Sequence, residues 1–150
     1  MDGPPEVLAA MRAWQAVTDD LANIARAFDP SRLDAPSACG GWTNRQLLAH
    51  LATGYGVRIA ALQAVVDGTN APPIDADEAN AGNVARLEDA PTEAIIADMV
   101  QVRGRVLVLL SRLKPEHSGV TTTLGEGKPL REALAGLSAH DLGHAAELRS

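Results

Sequence analysis

PEVLAAMRAWQAVTDDLANIARAF, residues 5–28, carries apolar side chains at Val7, Met11, Trp14, Val17, Leu21, Ile24 and Phe28. Each step is three or four residues, the period of one face of an α-helix. Arg12, Gln15, Asp19, Asp20, Asn23 and Arg26 fall on the other faces. A continuous apolar stripe of this length needs other helices to cover it. Asp29-Pro30 ends the segment, because the residue before a proline is driven out of helical geometry.

The same pattern recurs along the rest of the chain. Residues 29–41 hold Pro30, Pro36, Gly40 and Gly41 and read as a loop. Thr43 followed by Gln46 forms a capping box, and Trp42 with Leu47 forms a hydrophobic staple. The helix they start runs to about residue 66. Leu47, His50, Gly54, Arg58 and Ala61 share one stripe, with Leu51, Ile59, Leu62 and Val65 beside it. A loop over 67–76 leads to a short helix over 77–87. Pro91 opens a long helix to residue 113, with Ile95, Met99, Val102, Val106, Leu109 and Leu113 in register. Its β-branched residues favour strand, but six apolar positions at helical spacing outweigh them. Residues 114–128 are polar and glycine-containing, and 121–124 is expected to be extended. Pro129 suits the first turn of a last helix to residue 148. The stripe of that helix is Leu130, Leu134, Leu137, His140 or Asp141, His144 and Leu148. The expected fold is all-α: a four-helix bundle forming one domain over residues 1–150, with one short extra helix between helices 2 and 3.

Composition agrees with this reading. The 150 residues are 46% hydrophobic and 21% charged but only 3% aromatic, so the core is aliphatic. The formal net charge is −6, and the 13 basic residues form no run. A nucleic acid would require concentrated basic charge, so none is expected as a partner. No apolar run approaches the length of a membrane span. The single cysteine, Cys39, rules out an intrachain disulfide, and residues 1–5 do not resemble a secretory signal. A cytoplasmic protein is expected.

His140 and His144 lie four apart on a helical segment, which puts both rings on one face, one turn apart. Imidazole nitrogens are good ligands for late first-row divalent ions, and two one turn apart can converge on one ion. By spacing alone the pair is a common occurrence. His50 strengthens it, because it also sits mid-helix on an inward stripe. Three histidines leave at least one coordination position for water or substrate, as catalytic sites do. The competing reading is three pocket histidines satisfied by carboxylates or backbone carbonyls. Asp141 and Glu147 are candidates to accept from a ligand imidazole, with a solvated helix face as the alternative for both, and the stronger one for Glu147. Tyr55 and Arg58, further along the His50 helix, are candidates to line a pocket. Cys39 lies four residues before a helix cap, too far for that helix to activate it strongly, so loop packing is its default role. His117 reads as surface, and Trp42 as packing for the helix start.

The segment Gly41-Trp42-Thr43-Asn44-Arg45-Gln46-Leu47-Leu48-Ala49-His50-Leu51 resembles the signature of the DinB-like superfamily. Its flavour is closest to the N-terminal domain of mycothiol-dependent maleylpyruvate isomerases. The segment His140-Asp141-Leu142-Gly143-His144-Ala145-Ala146-Glu147-Leu148 is similar to the matching last-helix motif, and the helix order also agrees. The resemblance implies a four-helix bundle, usually dimeric, with His50, His140 and His144 as ligands of zinc or nickel, and iron or manganese as further options. It implies a small-molecule substrate and a low-molecular-weight thiol (mycothiol, bacillithiol or glutathione) in a transferase or isomerase. In the isomerase branch one last-helix ligand can be an acid. Both positions are histidine here, which points toward the broader superfamily. With Ser150 as the last residue of the sequence, the separate C-terminal domain of the isomerases is expected to be absent. Two other functions fit the same residues: a hydrolase using metal-bound water, and a non-enzymatic binding or structural bundle.

Overall fold

The computed structural model of the chain describes residues 3–53, 56–125 and 127–150. The helices are α1 (Pro5–Ala27), α2 (Pro30–Leu33), α3 (Asn44–Thr53), α4 (Gly56–Asp67), α5 (Ala76–Arg86), α6 (Thr92–Ser111), α7 (Leu130–Ala135) and α8 (Ala139–Arg149). Short 3-10 turns cover Pro115–His117 and Thr123–Gly125. Two isolated bridges, Pro36 to Thr43 and Thr121 to Pro129, are the only extended pairing among the described residues. None of the described helices is long and apolar enough to cross a membrane.

The four-helix bundle is present in this arrangement. α1 packs on α6, α7 and α8, while α6 also packs on α3 and α4. α8 reaches α3, and the short α5 covers the outside of α3. The α1 stripe is buried as its spacing predicts, with Val7, Trp14, Val17 and Leu21 all inside.

The buried apolar residues fall into two clusters. One contains Leu21, Leu47, Leu51, Ile95, Met99 and Ala145. The other contains Trp14, Leu62, Val106, Leu110, Leu134 and Leu137. Along three helices, a buried polar residue stands where one cluster gives way to the other. These are Thr18 on α1, Arg103 on α6 and Asp141 on α8. A polar layer therefore crosses the middle of an otherwise aliphatic core.

Three local expectations change. The helix expected over 43–66 is described on either side of residues 54 and 55, as α3 and α4, and its continuity at Gly54 and Tyr55 lies outside the described residues. The last helix is two helices. α7 closes at Gly136, whose N–H reaches the Ala133 and Leu134 carbonyls, and α8 starts after a turn. Glycine is a poor helix former, and the turn tucks both Leu137 and Ser138 into the core. The loop expected over 29–41 contains α2, because Asp29 caps it by accepting from the Arg32 N–H at 2.8 Å and Pro30 fits its first turn. Of residues 121–124 only Thr121 pairs as extended chain, in its bridge to Pro129; Thr122 Oγ1 then accepts from the Leu124 N–H at 3.1 Å and leads into the second 3-10 turn.

The start of α3 fixes the register of His50. Ser37 N–H donates to the Trp42 carbonyl at 2.9 Å and Asn44 N–H to that of Ala35 at 3.0 Å, which closes the preceding loop on itself. Gly41 turns this loop at φ 89°, a conformation that L side chains resist. The capping box then forms reciprocally. Gln46 N–H donates to Thr43 Oγ1 at 3.1 Å, and Thr43 N–H to Gln46 Oε1 at 2.9 Å. Replacing Thr43 with alanine is expected to lower stability by about 1 kcal/mol, read as a shifted urea midpoint with an unchanged slope.

Candidate metal centre

The capping box sets a register that buries Leu47, Leu48 and Leu51 and leaves His50 between them, 8% exposed. On α8 the inward row is Asp141, Ala145 and Leu148. His140 and His144 sit one position back from that row and face His50. The ring centroids of His50 lie 5.5 Å from His140 and 5.4 Å from His144, and those of His140 and His144 are 4.4 Å apart. The three rings are nearly perpendicular to one another, at 74°, 87° and 89°. One ligand nitrogen from each falls within 4.8 Å of the others.

The hydrogen bonds decide what these nitrogens can do. His140 Nδ1 lies 3.1 Å from Asp141 Oδ1, and His144 Nδ1 lies 3.0 Å from Glu147 Oε2. A carboxylate only accepts, so each Nδ1 carries the proton. Each Nε2 is then a bare lone pair, and the two Nε2 atoms face each other at 3.1 Å. Two lone pairs at that distance repel unless a proton or a cation sits between them. His50 Nδ1 is buried and has no hydrogen-bond partner among the described residues, a costly state for a polar atom. A tetrahedral ion with Zn–N bonds of the usual length separates its ligand nitrogens by ~3.3 Å. The donor set and its tautomers therefore fit a divalent ion.

Burial, and then the neighbouring His140 and His144, push the His50 pKa down from 6.5 to about 4. His50 is thus a neutral imidazole at physiological pH, the form that binds metal. His140 is the open member of the set, its side chain 43% exposed. On its side lies a cavity of about 280 Å³ lined by His50, His140, Arg58, Asn80, Asn83 and Thr123. A larger groove of about 930 Å³ near the end of α4 contains none of the three.

The remaining candidates are distributed around this centre. Asp141 is fully buried, so the solvated-face alternative does not hold for it. Glu147 is half-buried against His144, and their hydrogen bond lowers its pKa from the usual carboxylate range. Cys39 is brought to the edge of the centre: its thiol forms a second possible ligand group with His144 and Glu147. Burial, and then the Glu147 carboxylate, raise the Cys39 pKa. Arg58 lines the cavity, while Tyr55 lies outside the described residues. Trp42 packs at the helix start and also against the His50 ring, with centroids 4.9 Å apart. His117 accepts at Nδ1 from the Lys114 N–H and caps a 3-10 turn away from the centre.

Sequence reasoning missed Arg103. It is 1% exposed and donates from Nη1 to Asp141 Oδ2 at 2.9 Å. Its guanidinium lies 3.9 Å over the Trp14 ring, and its Nε donates to Thr18 Oγ1. The signal was its position on α6, between Met99 and Val106 on the inward row.

The lowered His50 pKa has a testable consequence for metal-free protein. The unfolded chain takes up the His50 proton near pH 6.5, the folded chain only near 4. Stability is then fully present above about 6.5 and falls as pH drops towards about 4. The slope from this one group is at most ~1.4 kcal/mol per pH unit. Urea titrations of chelator-treated protein at neutral pH and at about pH 5 are expected to differ less in His50→Gln than in the wild type.

Comparison with known proteins supplies the family. The sequence profile of the mycothiol maleylpyruvate isomerase N-terminal domain matches residues 14–148. No curated protein matches the sequence. Among solved structures, a crystal structure of the mycothiol-dependent maleylpyruvate isomerase superposes with a TM-score of 0.78 at 20% identity. A variant of that enzyme with one histidine replaced by alanine gives 0.78 at 19%. Both alignments cover 99% of this chain and 63% of the other, so the chain spans under two thirds of the length of those proteins. At this identity the superpositions establish the shared fold. With the profile match over most of its length, the chain belongs to the mycothiol maleylpyruvate isomerase N-terminal domain family of the DinB-like superfamily.

Proposed function

We propose that this domain holds one divalent transition ion, of the zinc or nickel type, on His50, His140 and His144, and acts with a low-molecular-weight thiol on a small electrophilic substrate. The observation that carries this reading is the pair of Nε2 atoms facing each other at 3.1 Å, each on a ring whose Nδ1 is engaged by a carboxylate. Family membership supports the thiol. When bound, such an ion supplies Lewis acidity that lowers the pKa of a thiol or water held against it.

The chain's own residues prepare that chemistry. Asp141 and Glu147 hold two imidazoles in the tautomer that leaves Nε2 free. Trp42 and the apolar residues around His50 keep water from the inner side of the centre. The cavity with Arg58, Asn80 and Asn83 offers hydrogen-bond donors to a polar substrate beside His140. Glu147, held to His144 Nδ1, stands beside the Cys39 thiol and gives that edge of the centre a negative charge.

Purified protein is expected to take up about one divalent ion per chain, read by elemental analysis, with loss of uptake in His50→Ala and His144→Ala. Thiol transfer to a panel of electrophiles is then assayed with mycothiol, bacillithiol and glutathione. Metal uptake without turnover on any pairing would overturn the thiol reading. Turnover of esters or amides without thiol, abolished by chelation, would replace it with hydrolysis. A second copy of the chain is the proposed macromolecular partner. Val100 and Val108, each about half exposed on α6, support this. Sedimentation at twice the monomer mass is the expected result.

A further inference from the structure

We infer that Arg103 and Asp141 are positioning residues that fix the His140 tautomer, and that this role, rather than fold stability, accounts for an ion pair in the centre of the core. The inference rests on the reading of the three histidines as metal ligands and extends it into α6 and α1.

The pair is fully enclosed, with side chains 1% and 0% exposed. Burying two charges carries a desolvation cost that their attraction barely repays, so well-packed apolar residues at such positions are as stabilising or more so. The apolar clusters on either side of the layer already supply aliphatic partners for such a replacement. Stability alone therefore does not explain the charges.

The second oxygen of Asp141 supplies the explanation. Oδ2 takes the Arg103 Nη1–H bond at 2.9 Å, while Oδ1 faces His140 Nδ1 at 3.1 Å. Among the described residues, Arg103 is held in turn from three directions. Its Nε donates to Thr18 Oγ1, its guanidinium stacks on Trp14, and its own carbonyl accepts from Trp14 Nε1–H at 3.1 Å. Thr18 Oγ1 donates to the Trp14 carbonyl at 2.7 Å, which leaves its lone pairs directed to Arg103. The path runs from α1 through Arg103 and Asp141 to His140. Its effect is to place the proton on Nδ1 of an otherwise half-exposed ring, and so to keep Nε2 open towards His144 and His50. Without a fixed acceptor, His140 can take the opposite tautomer, in which Nε2 carries a proton and cannot bind an ion.

Asp141→Asn gives the sharpest test, because it preserves shape and reverses polarity. Arg103 only donates, so it holds the new amide with oxygen towards itself and NH₂ towards His140. The imidazole must then accept at Nδ1 and carry its proton on Nε2. The expected result is a reversal of the His140 ring ¹⁵N shifts in metal-free protein, with Zn²⁺ affinity lower by about tenfold or more in chelator competition. Arg103→Met/Asp141→Leu is the companion variant in case the asparagine leaves the arginine too poorly paired to fold. It is expected to unfold at a urea concentration no lower than wild type, to lose the Nδ1–H preference of His140, and to bind Zn²⁺ about 10–100-fold more weakly. An unchanged tautomer with Zn²⁺ affinity within about twofold of wild type, in whichever variant folds, overturns the inference. So does a double variant that loses stability but keeps both readouts. If wild type itself takes up no Zn²⁺, the metal reading fails. The ¹⁵N shifts of the metal-free variants still decide whether Asp141 sets the tautomer.

Discussion

Arg103 puts a permanent positive charge where α1, α6 and α8 meet, and Asp141 is the carboxylate that makes this tolerable. Removing either partner alone leaves an uncompensated buried charge, which typically costs about 3–5 kcal/mol, a large share of the stability of an ordinary domain. The rest of the core is organised around that requirement. Trp14 offers a ring face and Thr18 an oxygen, so α1 is bound to α6 by polar contacts as well as by packing. α8 must dock with Asp141 inward, and that rotation turns His140 and His144 towards α3. The orientation of the histidine centre thus follows from the neutralisation of one arginine.

The centre has two unlike sides. Towards α3 it is closed by Trp42 and leucines, and His50 is held neutral there by burial. Towards the cavity it is open at His140, where Arg58, Asn80 and Asn83 supply polar groups. Cys39 and Glu147 form a third edge, on the far side of His144. An ion in the centre would therefore meet an apolar wall on one side and a polar chamber on the other, with the thiol–carboxylate edge behind the His144 ring.

Much of this was legible in the sequence because the signals are local. The α1 stripe, the Thr43–Gln46 box and the four-residue spacing of His140 and His144 each lie within a few turns of one helix, and each is realised in the fold. What escaped depends on distant partners. Arg103 reads as an ordinary helix charge until Trp14, 89 residues earlier, and Asp141, 38 residues later, are brought to it. Cys39 reads as a loop thiol until the loop is folded and α8 arrives with Glu147. The break at Gly136 was hidden for the opposite reason. Apolar spacing runs on across it from Leu134 to Leu137, so periodicity suggests one helix where a glycine permits a turn. Asp29-Pro30 was read only as a stop, although aspartate before proline is equally a start.

The order in which the layer is completed bears on how the chain matures. As the polypeptide leaves the ribosome, α1, α3 and α6 emerge before α8 exists, and their apolar faces are free to collapse together. Arg103 lies in the middle of that surface and has no carboxylate to meet until 38 further residues are made. A compact three-helix intermediate would have to bury its charge unneutralised, a cost that disfavours such a state until Asp141 is made. The residue that completes the core arrives between two of the three histidines, so the histidine cluster is assembled in the same step as the native core.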